Sequence, residues 1–182
     1  MTPHVKGNLP SKPPGKALAL IFVVAGSAAL LAAAISVRIA TKENRKDFIL
    51  QERANTCGVA AMKMVLDAYG IHRTMADIES ELRPSQKGLS MLALKRFAQQ
   101  TGLFVQGWRL SAEELSTIPK PAVLFVQGSH YCILDSVDRS QYFFRDPAFG
   151  AIQMTEEDLQ KVWNGETLVF SNTVQNKFGE GF

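Results

Sequence analysis

Only two cysteines and three histidines occur in the 182 residues, and that scarcity removes several classes of function at once. Cys57 and Cys132 have neither CxxC nor metal-finger spacing, so one bridge is the most they could form and a disulfide framework is excluded. His4, His72 and His130 are so scattered that a zinc site would have to be assembled from distant pieces, and no metal is expected. Neither sign of charge is in excess: 20 Lys and Arg against 17 Asp and Glu leave a net +3. The densest basic stretch, Lys42 to Lys46, is interrupted by Glu43. The electrostatic footprint of a nucleic-acid binder is therefore missing, and no nucleic-acid partner is expected. No Walker A sequence is present, so no nucleotide is expected as a cofactor.

What is present divides into unequal parts. Residues 1–16 hold Pro3, Pro10, Pro13, Pro14 and three lysines, the composition of a disordered basic arm. Residues 17–37 follow without a single charge. A helix of that length rises about 30 Å, the thickness of a bilayer's hydrocarbon core. Lysines ahead of an apolar run that contains Ala32-Ala33-Ala34 also resemble a cleavable secretory signal. The run exceeds the usual signal core, which favours an uncleaved single-pass membrane anchor. Positive charges nearly balance across it, and the shortness of the arm favours a domain on the extracytoplasmic side. A linker over 38–47, a globular domain over 48–172 and a loose tail over 173–182 complete the expected layout.

Within the globular part, local signals come in a definite order. Asn55 or Thr56 is placed to cap a helix beginning near Cys57, with Val59, Met62 and Leu66 at helical spacing and Gly70 as its stop. Thr74 to Asp77 reads as a capping box for a second helix ending before Pro84, and Ser90 opens a third that ends at Gly102. Strand patterns then cover 103–108, 122–127, 131–137, 141–145 and 151–154. A helix from Thr155 through Trp163 and a last strand over 167–170 follow. Helices first and antiparallel strands later is the order of an α+β fold.

Cys57 stands at an expected helix start, where unpaired N–H groups and the helix dipole favour a thiolate. Gly58 behind it would leave room for a substrate backbone. A thiolate nucleophile needs a base. His130 opens an apolar strand after the turn Gln127-Gly128-Ser129, whereas His72 lies in a loop and His4 in the arm. The base in turn needs an acceptor to fix its tautomer. Asp146 ends the next strand; Asp135 and Asp138 are alternatives. Gln51, six residues before Cys57, is a candidate oxyanion donor. Cys132 reads as a core cysteine, two residues along the strand from His130 and so on its face. Phe125, Phe143 and Phe144 read as packing residues.

Three separated motifs now coincide: Gln51-Glu52-Arg53-Ala54-Asn55-Thr56-Cys57-Gly58-Val59-Ala60-Ala61, His130-Tyr131, and Asp146-Pro147-Ala148 with Gly150. Together they resemble the bacteriocin-processing peptidases, papain-like cysteine enzymes that remove double-glycine leaders, often as the first domain of a peptide-exporting ABC transporter. The resemblance covers about 48–170. It implies a papain-like α+β domain in which Cys57 is the nucleophile, His130 the base, Asp146 the orienting acceptor and Gln51 the oxyanion residue. Gly88-Leu89-Ser90 and Trp163-Asn164-Gly165 also look like structural features of the family. The absence of a Walker A sequence departs from the transporter pattern, so a stand-alone peptidase, or one served by a separate ABC-type exporter, is expected. Its substrate would be a peptide or precursor protein cut after small residues. The alternative is a non-catalytic module of the same fold that binds a leader or partner peptide.

Overall fold

The computed structural model describes residues 38–39, 48–172 and 180–181. By its contacts the chain divides into Met1–Ser36 and Val37–Phe182. The first unit, with the apolar run expected to span a membrane, lies outside the described residues. Among those described, no helix is long and apolar enough to cross a membrane.

Three helices come first. α1 (Cys57–Ala68) grows out of a single 3-10 turn, Ala54–Thr56. From Cys57 to Leu66 every residue of α1 but Lys63 is buried, so this helix is enclosed on nearly all sides, as an all-round apolar helix must be. It ends at Gly70, whose φ of +72° takes the chain out of the helix while Ile71 N–H donates to Leu66 O at 2.8 Å. α2 (Met75–Leu82) starts at the expected capping box: Thr74 Oγ1 accepts from Asp77 N–H at 3.1 Å, and Asp77 Oδ2 accepts from Thr74 N–H at 3.2 Å. Ser90 caps α3 (Met91–Gln100) by accepting from Ala93 N–H at 3.2 Å.

The rest is strand, apart from a turn at Glu114–Ser116 and the short helix α4 (Glu156–Val162). β2 (Phe104–Arg109), β3 (Ala122–Val126), β4 (His130–Asp138), β5 (Gln141–Asp146), β6 (Gly150–Thr155) and β7 (Trp163–Ser171) join β1 (Arg38–Ile39) and β8 (Glu180–Gly181) in one sheet. Its order is β1-β6-β5-β4-β3-β7-β2-β8, with every neighbouring pair antiparallel. This is the expected α+β arrangement.

Side chains alternate across the sheet into two cores. Val123, Tyr131, Ile133, Leu168 and Phe170 pack with α1, α2 and α3. Leu124, Cys132, Leu134, Tyr142, Phe144 and Val169 face the opposite core, closed by Leu115, Ile118 and Leu159.

Several expectations are corrected. β7 begins at Trp163, not at Thr167: the chain is already extended there (φ −130°, ψ 135°). Gly165 lets the strand pass close to its neighbour, because a Cβ at that position would stand 2.8 Å from Leu110 O, and its φ is +99°. Trp163-Asn164-Gly165 therefore opens the strand instead of ending the helix. Two residues of the expected linker form β1 on β6, and two of the expected loose tail form β8 on β2. β4 also carries an irregularity that the hydropathy pattern does not announce. Ile133 pairs with Arg145 and Leu134 with Phe144, but Ser136 pairs with Phe143. Asp135 is the extra residue of a β-bulge.

Candidate active site

Cys57 is the first residue of α1 and is only 3% exposed. The expected caps act elsewhere: Asn55 Nδ2 donates to Ser85 O at 2.9 Å, and Thr56 Oγ1 donates to Arg53 O at 2.9 Å. Neither side chain closes the start of α1. Burial pushes the Cys57 thiol up, but His130 and the N–H groups of Tyr131 and Gly58 stabilise the thiolate by more, so the thiol is held below its ordinary value of 9.0.

His130 is carried to Cys57 by a tight hairpin. Val126 pairs with His130, and the turn between them uses positive φ at Gln127 (52°) and Gly128 (66°). His130 Nε2 lies 3.0 Å from both oxygens of Asp146, which leaves Nδ1 for the thiol. Burial lowers the imidazole's affinity for a proton; the hydrogen bonds to Asp146 and Cys57 and their negative charges outweigh it and raise the ring to about 9. Proton affinity is thus shifted from sulfur to ring, the distribution of a thiolate–imidazolium pair.

Asp146 is itself held firmly. It is 4% exposed, and its Oδ1 accepts Ala148 N–H at 2.7 Å and Phe149 N–H at 3.2 Å. The Asp146-Pro147 dipeptide therefore makes a turn and presents a carboxylate in the same few residues. The other acids are engaged or remote: Asp135 forms a two-pronged pair with Arg145 at 2.7 and 2.8 Å, and Asp138 ends β4. His72 is exposed beside Asp67, and His4 lies outside the described residues. Gln51 is brought to the acid by its main chain, whose N–H donates to Pro147 O at 2.8 Å. Its side-chain Oε1 is buried without a partner among the described residues.

A cleft of about 740 Å³ opens beside Cys57, bordered by Asn55, Lys87, Leu89, Phe125, Ser129 and Tyr131. Two expectations change here. Gly58 does not leave space for a ligand: a Cβ there would meet Leu89, Leu94 and Tyr131 of the protein itself at 3.3–3.4 Å. Phe125 is not merely packing. It is half-buried, lines the cleft and lies 5.1 Å from the Tyr131 ring. Tyr131 fixes that wall, its O–H donating to Leu89 O at 2.8 Å. Sequence reasoning missed these wall residues, and the one available signal was their nearness to the His130 turn.

Cys132 is fully buried in the core on the far side of the sheet from the one that holds Cys57, and both cysteines are free. Burial, helped by the charge of Asp146, raises its thiol well above the ordinary range. Among the described residues, no group of three His, Cys, Asp or Glu side chains is arranged to hold a metal ion.

The chain matches the model of the Peptidase C39 family over residues 45–175. It is similar to the colicin V secretion/processing ATP-binding protein CvaB of Escherichia coli, 25% identical over 126 residues that make up 69% of this chain and 18% of that protein. It is also similar to the probable functional amyloid protease FapD of Pseudomonas aeruginosa, 28% identical over 131 residues, 65% of this chain and 58% of that protein. The chain thus spans less than a fifth of the transporter-type relative and under two thirds of FapD. Among solved structures, a double glycine motif protease from an AMS/PCAT transporter, in complex with the leader peptide, superposes with a TM-score of 0.66 at 25% identity, over 69% of this chain and 91% of that one. The peptidase domain of Streptococcus ComA shares the fold, with a TM-score of 0.65 at 18% identity over 69% of this chain and 97% of that one.

Proposed function

Since the chain belongs to the peptidase C39 family, we propose that it is a cysteine peptidase that cuts a precursor peptide or protein after a small residue, as at a double-glycine junction. The observation that carries the reading is the contact of His130 Nε2 with Asp146 at 3.0 Å, on a ring near enough to Cys57 to favour its thiolate. A nucleophile, a base and an orienting acceptor then stand in series.

The reaction runs as an acyl transfer. Cys57 Sγ attacks the scissile carbonyl carbon, forming the S–C bond and placing a negative charge on oxygen. The N–H of Cys57 and the amide N–H of Gln51 receive that charge. His130, protonated on Nδ1, gives its proton to the leaving nitrogen as the C–N bond breaks. Water then attacks the thioester while His130 takes its proton, and the S–C bond breaks to restore the thiolate. Asp146 holds the ring in one orientation throughout.

The small residue before the cut is suggested by the solved double glycine motif protease to which this chain is similar. Residues 17–37 serve, in this reading, as a single-pass anchor in a bacterial cytoplasmic membrane, with the peptidase on its outer side. An ABC-type exporter is the natural partner, given the relative named for secretion and processing. The test is full-length protein in detergent, wild type beside Cys57→Ala, incubated with peptides carrying Gly-Gly or Gly-Ala junctions and read by mass spectrometry. Cleavage after the small residue that vanishes in Cys57→Ala supports the reading. No cleavage, with a Cys57 no more reactive than a free thiol, replaces it with a peptide-binding module.

A further inference from the structure

The bulge in β4 decides which face of the sheet Asp146 occupies. Beyond the bulge, Val137 pairs with Tyr142 and Asp138 with Gln141; before it, Ile133 pairs with Arg145. Had the first register continued, residue 146 would stand opposite Ile133, which points into the core beneath α1. Asp146 would then turn to the opposite face from His130, because a slip of one residue exchanges the two faces of a strand. The extra residue, Asp135, restores the alignment. With it, Asp146 falls in step with Tyr142 and Phe144 on β5, as His130 does with Cys132 and Leu134 on β4; His130 opens its strand, and at that end its ring reaches Asp146 as well as Cys57. The meeting of His130 and Asp146 is therefore a product of the bulge.

The bulge is held by its own side chain. Asp135 receives Arg145 Nε at 2.7 Å and Arg145 Nη2 at 2.8 Å, a planar fork that fixes both distance and orientation. Arg145 is the residue directly before Asp146 and is only 15% exposed at its side chain. The fork thus joins the inserted residue of one strand to the neighbour of the acceptor on the other.

We propose that Asp135 and Arg145 are positioning residues for the His130–Asp146 pair, locking the β4 bulge so that the carboxylate meets the ring. Neither touches the reacting atoms. The inference rests on the peptidase reading only in taking that pair as the one that activates Cys57.

The experiment follows iodoacetamide alkylation of Cys57 against pH in the full chain, with Cys132→Ala as background so that one thiol reports. Arg145→Gln, Arg145→Lys and Asp135→Asn are compared with this parent, and folding is checked by circular dichroism and melting. The titratable groups bearing on the reporter pair are Asp146 and Tyr131, both untouched; Cys132 bears on Asp146 and is removed. In folded Arg145→Gln and Asp135→Asn, the rise of the alkylation profile should move toward higher pH, with about a tenfold slower reaction near pH 6. Arg145→Lys should restore the melting temperature better than the profile, because one ammonium cannot reproduce the fork. Profiles identical to the parent in folded variants would overturn the proposal and leave the peptidase reading standing. A parent Cys57 that alkylates like a free thiol would instead remove the peptidase reading, and this inference with it.

Discussion

The main-chain N–H of Gln51 donates to the carbonyl oxygen of Pro147 at 2.8 Å. That one bond clips the segment leading into α1 onto the turn that follows Asp146. The candidate oxyanion residue and the candidate acceptor are thus held by a common clasp, although 95 positions separate them in the chain.

Gln51→Ala keeps the clasp, since the bond is a main-chain one, and removes only the amide. We expect kcat on a cleavable peptide to fall by about 10²–10³, the usual loss for one oxyanion donor. Alkylation of Cys57 should stay within about twofold. Parallel losses in both assays would assign Gln51 a structural role.

The proton distribution sets a window in pH. Cys57 is held below 9.0 and His130 is raised to about 9, so the ion pair exists above the lowered thiol value and below about pH 9. Peptidase activity should decline on both sides, the alkaline limb falling as the ring loses its proton. In His130→Ala the burial of Cys57 keeps only the compensation of the Tyr131 and Gly58 N–H groups, and alkylation should shift to higher pH.

The same shift is linked to stability. His130 binds its proton more tightly folded than unfolded, so its contribution is complete below its ordinary 6.5 and lost as pH rises through about 9. The melting-temperature gap between wild type and His130→Ala should therefore be wider at pH 6 than at pH 10. A gap that does not change with pH would show that the ring contributes packing alone.

Asp146→Ala removes the acceptor of two main-chain N–H groups as well as that of His130. Ala148 and Phe149 are exposed and Phe149 N–H keeps Asp146 O at 3.3 Å, so water replaces those bonds and the loss falls mainly on the largely buried His130; urea unfolding should show a loss of about 1–3 kcal/mol together with collapse of activity. Asp146→Asn keeps an acceptor oxygen and should recover most of the stability while losing the charge that supports the ring.

Gly165→Ala tests the fold apart from the chemistry. The added Cβ would lie 2.8 Å from Leu110 O on a residue at φ +99°. A loss of roughly 1–3 kcal/mol is expected, with activity per folded molecule preserved. An unaltered melting point would mean that β7 and the Leu110 segment can separate freely.

Legibility in the sequence followed the range of the cause. The Thr74–Asp77 box, the Ser90 cap and the Gly70 stop are local hydrogen-bond and φ requirements, and all three could be read from a few neighbouring letters. The nearness of Cys57 to His130 could be inferred from a helix start and a strand start. What escaped depends on partners distant in the chain. The early start of β7 needs Leu110 beside Gly165, and the Asp135 bulge exists only against β5. Gly58 was misread for the same reason, since Leu89, Leu94 and Tyr131 fill the space next to it. The caps expected of Asn55 and Thr56 failed because Ser85 O and Arg53 O compete for those side chains.

The placement of the two thiols in separate cores, on opposite faces of the sheet, has a chemical consequence. The chain has no other cysteine, so an oxidised Cys57 has no resolving thiol to turn to within its own fold. A sulfenic acid formed there can be returned to the thiolate only by a reductant from outside, such as a small thiol able to enter the cleft.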